Sequence, residues 1–327
     1  MWTKQGLIYQ PNGSQPFSRT HAQVPFGYPL DNNRLRVYFA TRDGDSCSST
    51  SFVELDTNDL TNVLYVYDKP SLSKGAVGMF DETGTMPSWF LPVPDGQGGT
   101  DIWLYYTGWN KSETTYYRLG IGLAISHDGG LTFERAFDGP LLDRYIFDQV
   151  WVAQPCVMRE EQPDGSGNPP RIRWRMWYLS CTKIEVINGH PEPFYDVKYA
   201  ESADGIHWDR TGQVCVGYDE FTDAIGRPTV YKENGLYKMY FSYRNSVNYR
   251  TDVSQSYRIG YAESEDGITW ERRDADAGIE RSTDGWDSMM MDYCHIVQNK
   301  DEWVMFYNGN GFGASGFGYA THPLTVG

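Results

Sequence analysis

Asp81, Glu220 and Asp292, together with Asp148, are the residues of this chain best suited to do chemistry. Each lies at the entrance to a strand-like apolar run: Phe80-Asp81, Phe147-Asp148, the cluster of Asp219, Glu220 and Asp223, and Asp292 directly before Tyr293. Two carboxyl groups flanking one glycosidic bond can cleave it. One protonates the leaving oxygen, and the other attacks the anomeric carbon at a separation of about 5 Å or activates water at about 6.5–9.5 Å. A further carboxylate raises the acid's pKa by like-charge repulsion. On this reading Asp81, Glu220 and Asp292 are the catalytic candidates and Asp148 tunes them. Trp109 offers an indole face for a sugar ring, and Arg42, Arg227 and Arg244 offer donors to hydroxyls or to the carboxylate of an acidic sugar. His21, Gln23, Asp43, Gln154, His295 and Asn308 complete the polar set. Structural roles compete at each position. Asp81 and Asp148 can cap loops, Glu220 can be a solvated surface acid, and Arg227 and Asp43 can form local ion pairs. His21 and His295 can be core groups.

The elements that must position these residues recur along the chain. Ala124–Phe133, Ala200–Trp208 and Ala262–Trp270 share a Ser-x-Asp-Gly turn followed by an aromatic that starts the next strand. Asp and Ser accept local backbone hydrogen bonds, and Gly supplies the positive φ of a tight hairpin. The period of roughly 60–75 residues, with strand signals inside it, matches one propeller blade per repeat. Two further units lack the turn but keep the strand order, one N-terminal and one C-terminal. The expected architecture is all-β: a five-bladed β-propeller formed as a single domain over residues 1–327. Trp2 to Tyr9 is expected to supply the last blade's missing strand and close the ring. Residues 161–170 read as a hairpin insertion in the third blade. Loops entering the inner strands share one face with those joining second to third strands, so the candidate residues converge on one axial funnel. The Asp-Gly turns are expected on the opposite face.

Composition narrows the partners. The net charge of −15, with no basic run, argues against nucleic acid. No apolar run is long enough to span a bilayer, and Met1-Trp-Thr-Lys-Gln-Gly does not read as a signal peptide. Five cysteines without metal spacing read as reduced thiols and favour the cytoplasm. Twenty-four Tyr and eleven Trp serve packing first and sugar platforms second. No Ser-His-Asp arrangement, zinc spacing or glycine-rich phosphate loop stands out. No cofactor is required; a central cation such as Ca2+ near His295 has no supporting motif.

The Ser-x-Asp-Gly-x-x-Trp turns, the acids before inner strands and the second strands Arg175-Met-Trp-Tyr178 and Lys238-Met-Tyr-Phe241 resemble those of the five-bladed propeller glycosidases. These comprise the arabinanase, levansucrase and invertase superfamily and the related mannoside phosphorylases. The resemblance spans essentially the whole chain. It implies a carbohydrate-active enzyme that cleaves or transfers a glycosidic bond by carboxylate acid/base catalysis on an oligosaccharide or glycoside. Family members commonly carry key acids as Asp-Pro. Here those positions hold Val24, Met86, Gln154, Arg227 and, before Tyr293, Asp292, which alone keeps a carboxylate. That departure marks a divergent branch and admits an alternative, a propeller that binds a glycan or nucleotide-sugar without cleaving it. Ser126–Phe133 is also similar to a sialidase Asp-box. Sialidase-like chemistry would set Arg42, Arg227 and Arg244 as a triad with a tyrosine nucleophile.

Overall fold

The computed structural model describes residues 1–162, 170–220 and 222–324; residues 163–169 of the expected hairpin insertion lie outside the described residues. After β1 (Thr3–Tyr9) the chain runs through antiparallel meanders. The first is β2 (Thr20–Pro29), β3 (Arg34–Arg42), β4 (Ser48–Asp56) and β5 (Asp59–Val66). The second is β6 (Gly84–Pro94), β7 (Thr100–Ser112), β8 (Tyr116–Ser126) and β9 (Glu134–Arg135). The third is β10 (Trp151–Gln162), β11 (Arg171–Ile187), β12 (His190–Ser202) and β13 (Trp208–Val216). The fourth is β14 (Ala224–Glu233), β15 (Leu236–Arg244), β16 (Arg258–Ser264) and β17 (Glu271–Arg272). The last is β18 (Asp292–Asn299), β19 (Glu302–Asn308) and β20 (Phe317–Pro323), and β1 pairs antiparallel with β20. Among the described residues helix is confined to one 3-10 turn, Asp274–Asp276.

Alternation along the strands builds the core between meanders rather than inside them. β3 sends Leu35, Val37 and Phe39 to a cluster with Val304, Phe306 and Phe317 of the last meander. Its Tyr38 goes to a different cluster, with Phe90, Leu104 and Tyr106 of the second. The same division holds between the second and third, the third and fourth, and the fourth and last meanders. The first strands touch in turn: β2 meets β6 and β18, β10 meets β6 and β14, and β14 meets β18.

The Asp-Gly turns join neighbouring meanders. Within each turn Asp128, Asp204 and Asp266 accept two backbone N–H bonds, and Gly129, Gly205 and Gly267 take φ of 73°, 78° and 72°. The turn carbonyls face the preceding meander. Tyr38 OH donates to Gly130 O at 2.7 Å, Tyr105 OH to Gly205 O at 2.9 Å, and Trp177 Nε1 to Gly267 O at 2.8 Å.

A second recurring device fixes the acids that precede the first strands. Asp81 accepts from Tyr106 OH at 3.0 Å and from Arg135 Nη2 at 2.6 Å. Asp148 accepts from Ser180 Oγ at 2.7 Å, Tyr178 OH at 3.2 Å and Arg210 Nη1 at 3.0 Å. Asp287 accepts from Tyr307 OH at 3.1 Å and Lys4 Nζ at 2.7 Å. In each case a second-strand tyrosine and an outer-strand cation clasp one buried carboxylate. Removing one partner of a buried pair leaves the other charge uncompensated. Asp148→Asn is therefore expected to lower unfolding free energy by about 3 kcal/mol, measured by urea denaturation. An unchanged midpoint and slope would contradict the clasp.

Candidate functional site

Each first strand is interrupted at its site end. Register slips separate Gln23 from Phe26, Pro87 from Trp89, Ala153 from Cys156, Gly226 from Thr229, and Asp292 from His295. Four of these bulges hold a non-glycine residue in the left-handed region: Val24, Gln154, Arg227 and Tyr293, with φ of 55°, 49°, 53° and 55°. Such conformations cost on the order of 1–3 kcal/mol each and persist only when their surroundings hold them. Three of the bulged amides are held by a side chain from the second strand of the adjoining meander. Val24 N donates to Asn308 Oδ1 at 2.8 Å, Gln154 N to Thr107 Oγ1 at 2.8 Å, and Tyr293 N to Ser242 Oγ at 3.0 Å. Bulges re-aim side chains, and these turn Gln23, Gln154, Asp292 and Tyr293 into the wall of one cavity.

The cavity has a volume of about 290 Å³ and takes residues from all the meanders. That is near the lower end of the ~300–1,000 Å³ range of small-molecule sites. Among the described residues its charged groups are Arg42, Arg244, Arg250 and a single carboxyl, Asp292. Aromatic side chains make up much of the rest, among them Trp109, Tyr117, Tyr195, Tyr257 and Tyr293. No residue of the Asp-Gly turns lines it.

Asp292 forms part of the wall while being fully buried. Its Oδ1 accepts from Tyr293 N at 2.7 Å, and its Oδ2 has no partner among the described residues. Burial raises its pKa to about 7 against the opposing effects of Ser242, the Tyr293 amide, Arg244 and Arg227. Asp292 is thus an acid that holds its proton up to neutrality. Burial also raises Tyr117, Tyr195, Tyr257 and Tyr293, so none of these phenols is a ready phenolate. Tyr195 OH and Tyr257 OH are hydrogen-bonded to each other, and Arg244 Nε donates to Tyr257 OH at 3.0 Å.

The structure brings together Asp292, Gln23, Arg42, Trp109, Gln154 and Arg244 from the residues singled out in the sequence. It separates the others. Asp81 and Asp148, read as catalytic and tuning acids, are buried in their clasps and do not line the cavity. Glu220 is exposed before β14 and also lies outside the lining. Asp43 accepts from the amides of Asp45 and Cys47 within its own loop. Asn308 is buried behind the wall, bonded to Val24 N and to the carbonyls of Ala22 and Gly316. His21 sits near Arg42, and burial followed by that charge lowers it to about 4.

Arg227 and His295 are buried and outside the lining. Arg227 Nη1 donates to Ser88 O at 2.7 Å, while its Nε and Nη2 are unpartnered among the described residues, and burial lowers it to about 10. The His295 ring packs against Phe26 with centroids 3.7 Å apart and planes tilted by 32°, and its Nδ1 accepts from Gly27 N at 3.1 Å. Burial and Arg227 hold His295 well below the usual imidazole range. A buried guanidinium beside a neutral imidazole disfavours a cation there. Among the described residues no group of three His, Cys, Asp or Glu is arranged to hold a metal.

Sequence reasoning did not single out Arg250, Tyr249 and Tyr257. All three lie on the β15–β16 connection that begins at Arg244, so the rule that found Arg244 applied to them too. Tyr117 and Tyr195 come from third strands, whose side chains that rule did not reach.

No family model matches the chain. Two uncharacterized proteins of Mycobacterium tuberculosis are similar over nearly its whole length. MT1551 of strain CDC 1551 / Oshkosh and Rv1502 of strain ATCC 25618 / H37Rv are each 34% identical over 322 residues, 98% of this chain and 98% of theirs. Among solved structures, a glycoside hydrolase superposes with TM-score 0.69 at 16% identity, covering 99% of this chain and 92% of its own. A thermostable family-43 glycoside hydrolase gives 0.63 at 17%, covering 96% and 91%. A structure from the GH130 family of mannoside phosphorylases gives 0.66 at 14%, covering 99% and 94%. The fold is therefore the propeller type of these glycosidases, as the sequence resemblance implied. The chain belongs to the same family as Rv1502 and MT1551. No helix among the described residues is long and apolar enough to cross a membrane.

The raised pKa of Asp292 fixes the sign of a pH effect. In the folded state the carboxyl binds its proton up to about pH 7, whereas an unfolded aspartate releases it near 3.9. The stability it contributes is fully present below the unfolded pKa and is lost as pH rises through about 7. Asp292→Asn should therefore be more stable relative to the parent at pH 8 than at pH 5, by urea denaturation at both. The parent should also show a protonated-carboxyl carbonyl band in infrared difference spectra that titrates near neutrality and is missing from the variant. A pH-independent stability difference would contradict the assignment.

Proposed function

We propose that this protein is a carbohydrate-active enzyme that cleaves or transfers a glycosidic bond in the axial cavity of a five-bladed propeller. The proposed ring is one domain closed by β1. Its support is the pairing of β1 with β20 and the core seams between successive meanders, including that between the last and the first. Five free thiols, four of them buried, support a reducing, cytoplasmic setting. The functional reading rests on one observation: the cavity wall carries a buried carboxyl, Asp292, whose Oδ2 is unpartnered and whose proton is retained near pH 7.

Asp292 is the general acid in this mechanism. It protonates the glycosidic oxygen as the bond to the anomeric carbon breaks. Among the described residues the wall holds no second carboxylate to form a covalent glycosyl intermediate, and its tyrosines are neutral phenols. The nucleophile accordingly enters from outside, on the face opposite the leaving group: an anionic acceptor oxygen such as phosphate needs no base, while an attacking water gives up its proton to solvent water, from which the Asp292 carboxylate is reprotonated. That single displacement inverts the anomeric centre. Trp109 is fixed by its Nε1 bond to Ser48 Oγ at 2.7 Å and offers its ring to a sugar face. Sialidase-like chemistry is less well supported. Its triad would need Arg227, which lies outside the wall, and a phenolate, which burial opposes.

The lone carboxyl also favours a second reading, a propeller that binds a glycan or nucleotide-sugar without cleaving it. One experiment separates the two: turnover of a panel of furanosides, mannosides and acidic glycosides, with and without phosphate, by the parent and by Asp292→Asn. The enzyme reading predicts a loss on the order of 10²–10⁴-fold in kcat with substrate binding retained. Equal rates would remove Asp292 from catalysis. Sugar binding by a parent that turns over no glycoside would establish the binding reading.

A further inference from the structure

The cavity is cationic inside an acidic protein. The chain carries a net charge of −15, yet three guanidinium groups and one carboxyl face this space, and that carboxyl is neutral below about pH 7. Two of the three arginines have partners. Arg244 bonds Tyr257 OH and Ser246 Oγ, with Asp223 and Glu192 at 3.7 and 3.8 Å. Arg250 pairs with Glu192. Arg42 does not. The one hydrogen bond of its side chain among the described residues runs from Nε to Gln23 Oε1 at 3.1 Å, and no described carboxylate lies within ion-pair distance. Partial burial lowers Arg42, as expected for a cation withdrawn from water without a counter-ion. Its two terminal nitrogens form a fork that matches the geometry of a carboxylate or phosphate.

We infer that the cavity takes an anionic glycoside, with the ligand's oxyanion held on the Arg42 fork and its glycosidic oxygen toward Asp292. The inference rests on the reading of this cavity as a glycoside site and names the class of substrate. β2 and β18 are neighbours, so Arg42, which is bonded to Gln23 of β2, stands on the side of the cavity adjoining Asp292. An oxyanion there supplies the counter-charge that Arg42 lacks. Its negative charge also disfavours ionisation of Asp292, which keeps the acid protonated while substrate is bound. A neutral sugar leaves Arg42 desolvated and unpaired, which is a basis for rejecting it.

The test is calorimetric binding to the full chain, a readout independent of turnover. The probes are p-nitrophenyl glucuronide, its neutral glucoside counterpart, mannose 1-phosphate and inorganic phosphate, against the parent, Arg42→Gln and Arg42→Lys. Anionic sugars are expected to bind more tightly than the glucoside. Arg42→Gln should weaken them on the order of 10- to 100-fold, the loss of a charge-assisted pair, and leave the glucoside unaffected. Arg42→Lys should restore part of the affinity. Phosphate bound alone with the same Arg42 dependence, together with no preference for anionic over neutral glycosides, keeps an oxyanion site at Arg42 but overturns the assignment of that anion to the glycoside. Dependence confined to sugar-borne anions supports it and assigns the anion to the substrate. Equal affinity for neutral and anionic probes, or indifference of all anionic probes to Arg42→Gln in a variant of parental thermal stability, overturns the inference. Because binding is read directly, a catalytically silent Asp292 would leave this result standing.

Discussion

The bulged first strands are the constraint on which the site depends. Val24, Gln154, Arg227 and Tyr293 hold a backbone conformation that side-chain-bearing residues rarely adopt. For three of them a neighbouring meander supplies the hydrogen bond that holds the amide, through Asn308, Thr107 and Ser242. The bulge that aims a residue into the cavity is thus stabilised by the adjacent unit, and strain is local while its support comes from next door. Loss of the second, fourth or last meander would release the bulge of its neighbour and redirect the side chain it presents.

Charge is divided between two places. The carboxylates Asp81, Asp148 and Asp287 are neutralised in clasps between second and outer strands, where they fix each meander's geometry. The axial cavity keeps a different balance, with arginines and one protonated acid. A large acidic surplus across the whole chain is therefore compatible with a cavity that attracts anions, because burial and pairing decide which charges act locally. Arg227, buried with two nitrogens unpartnered among the described residues, adds positive charge next to Gly226 of the wall without itself lining it.

Features fixed by local chemistry were legible in the sequence. The turns at Ser126, Ser202 and Ser264 could be read because an aspartate, a serine and a positive-φ glycine act within a few residues of one another. Asp292 could be read because, among the first-strand positions where the resembling glycosidases carry their acids, it alone keeps a carboxylate, directly before Tyr293. Asp81 and Asp148 misled because an acid entering a first strand reads the same whether it faces the axis or folds back. The partners that turn them back, Arg135 and Arg210, are 54 and 62 residues away. Glu220 gave no local sign of its exposure. Arg250, Tyr249 and Tyr257 fall on the same β15–β16 connection as Arg244, which the strand order identifies, but which of its residues turn into the cavity depends on the course of that loop.

The central claim is that Asp292 delivers a proton to a glycosidic oxygen inside the cavity. A crystal structure of Asp292→Asn with an intact acidic glycoside tests it most directly. The account predicts the glycosidic oxygen about 3 Å from the residue-292 side chain, within hydrogen-bond reach, and the ligand's anionic group on Arg42. A glycoside bound in the cavity with its glycosidic oxygen turned away from residue 292, or bound elsewhere on the molecule, would contradict it.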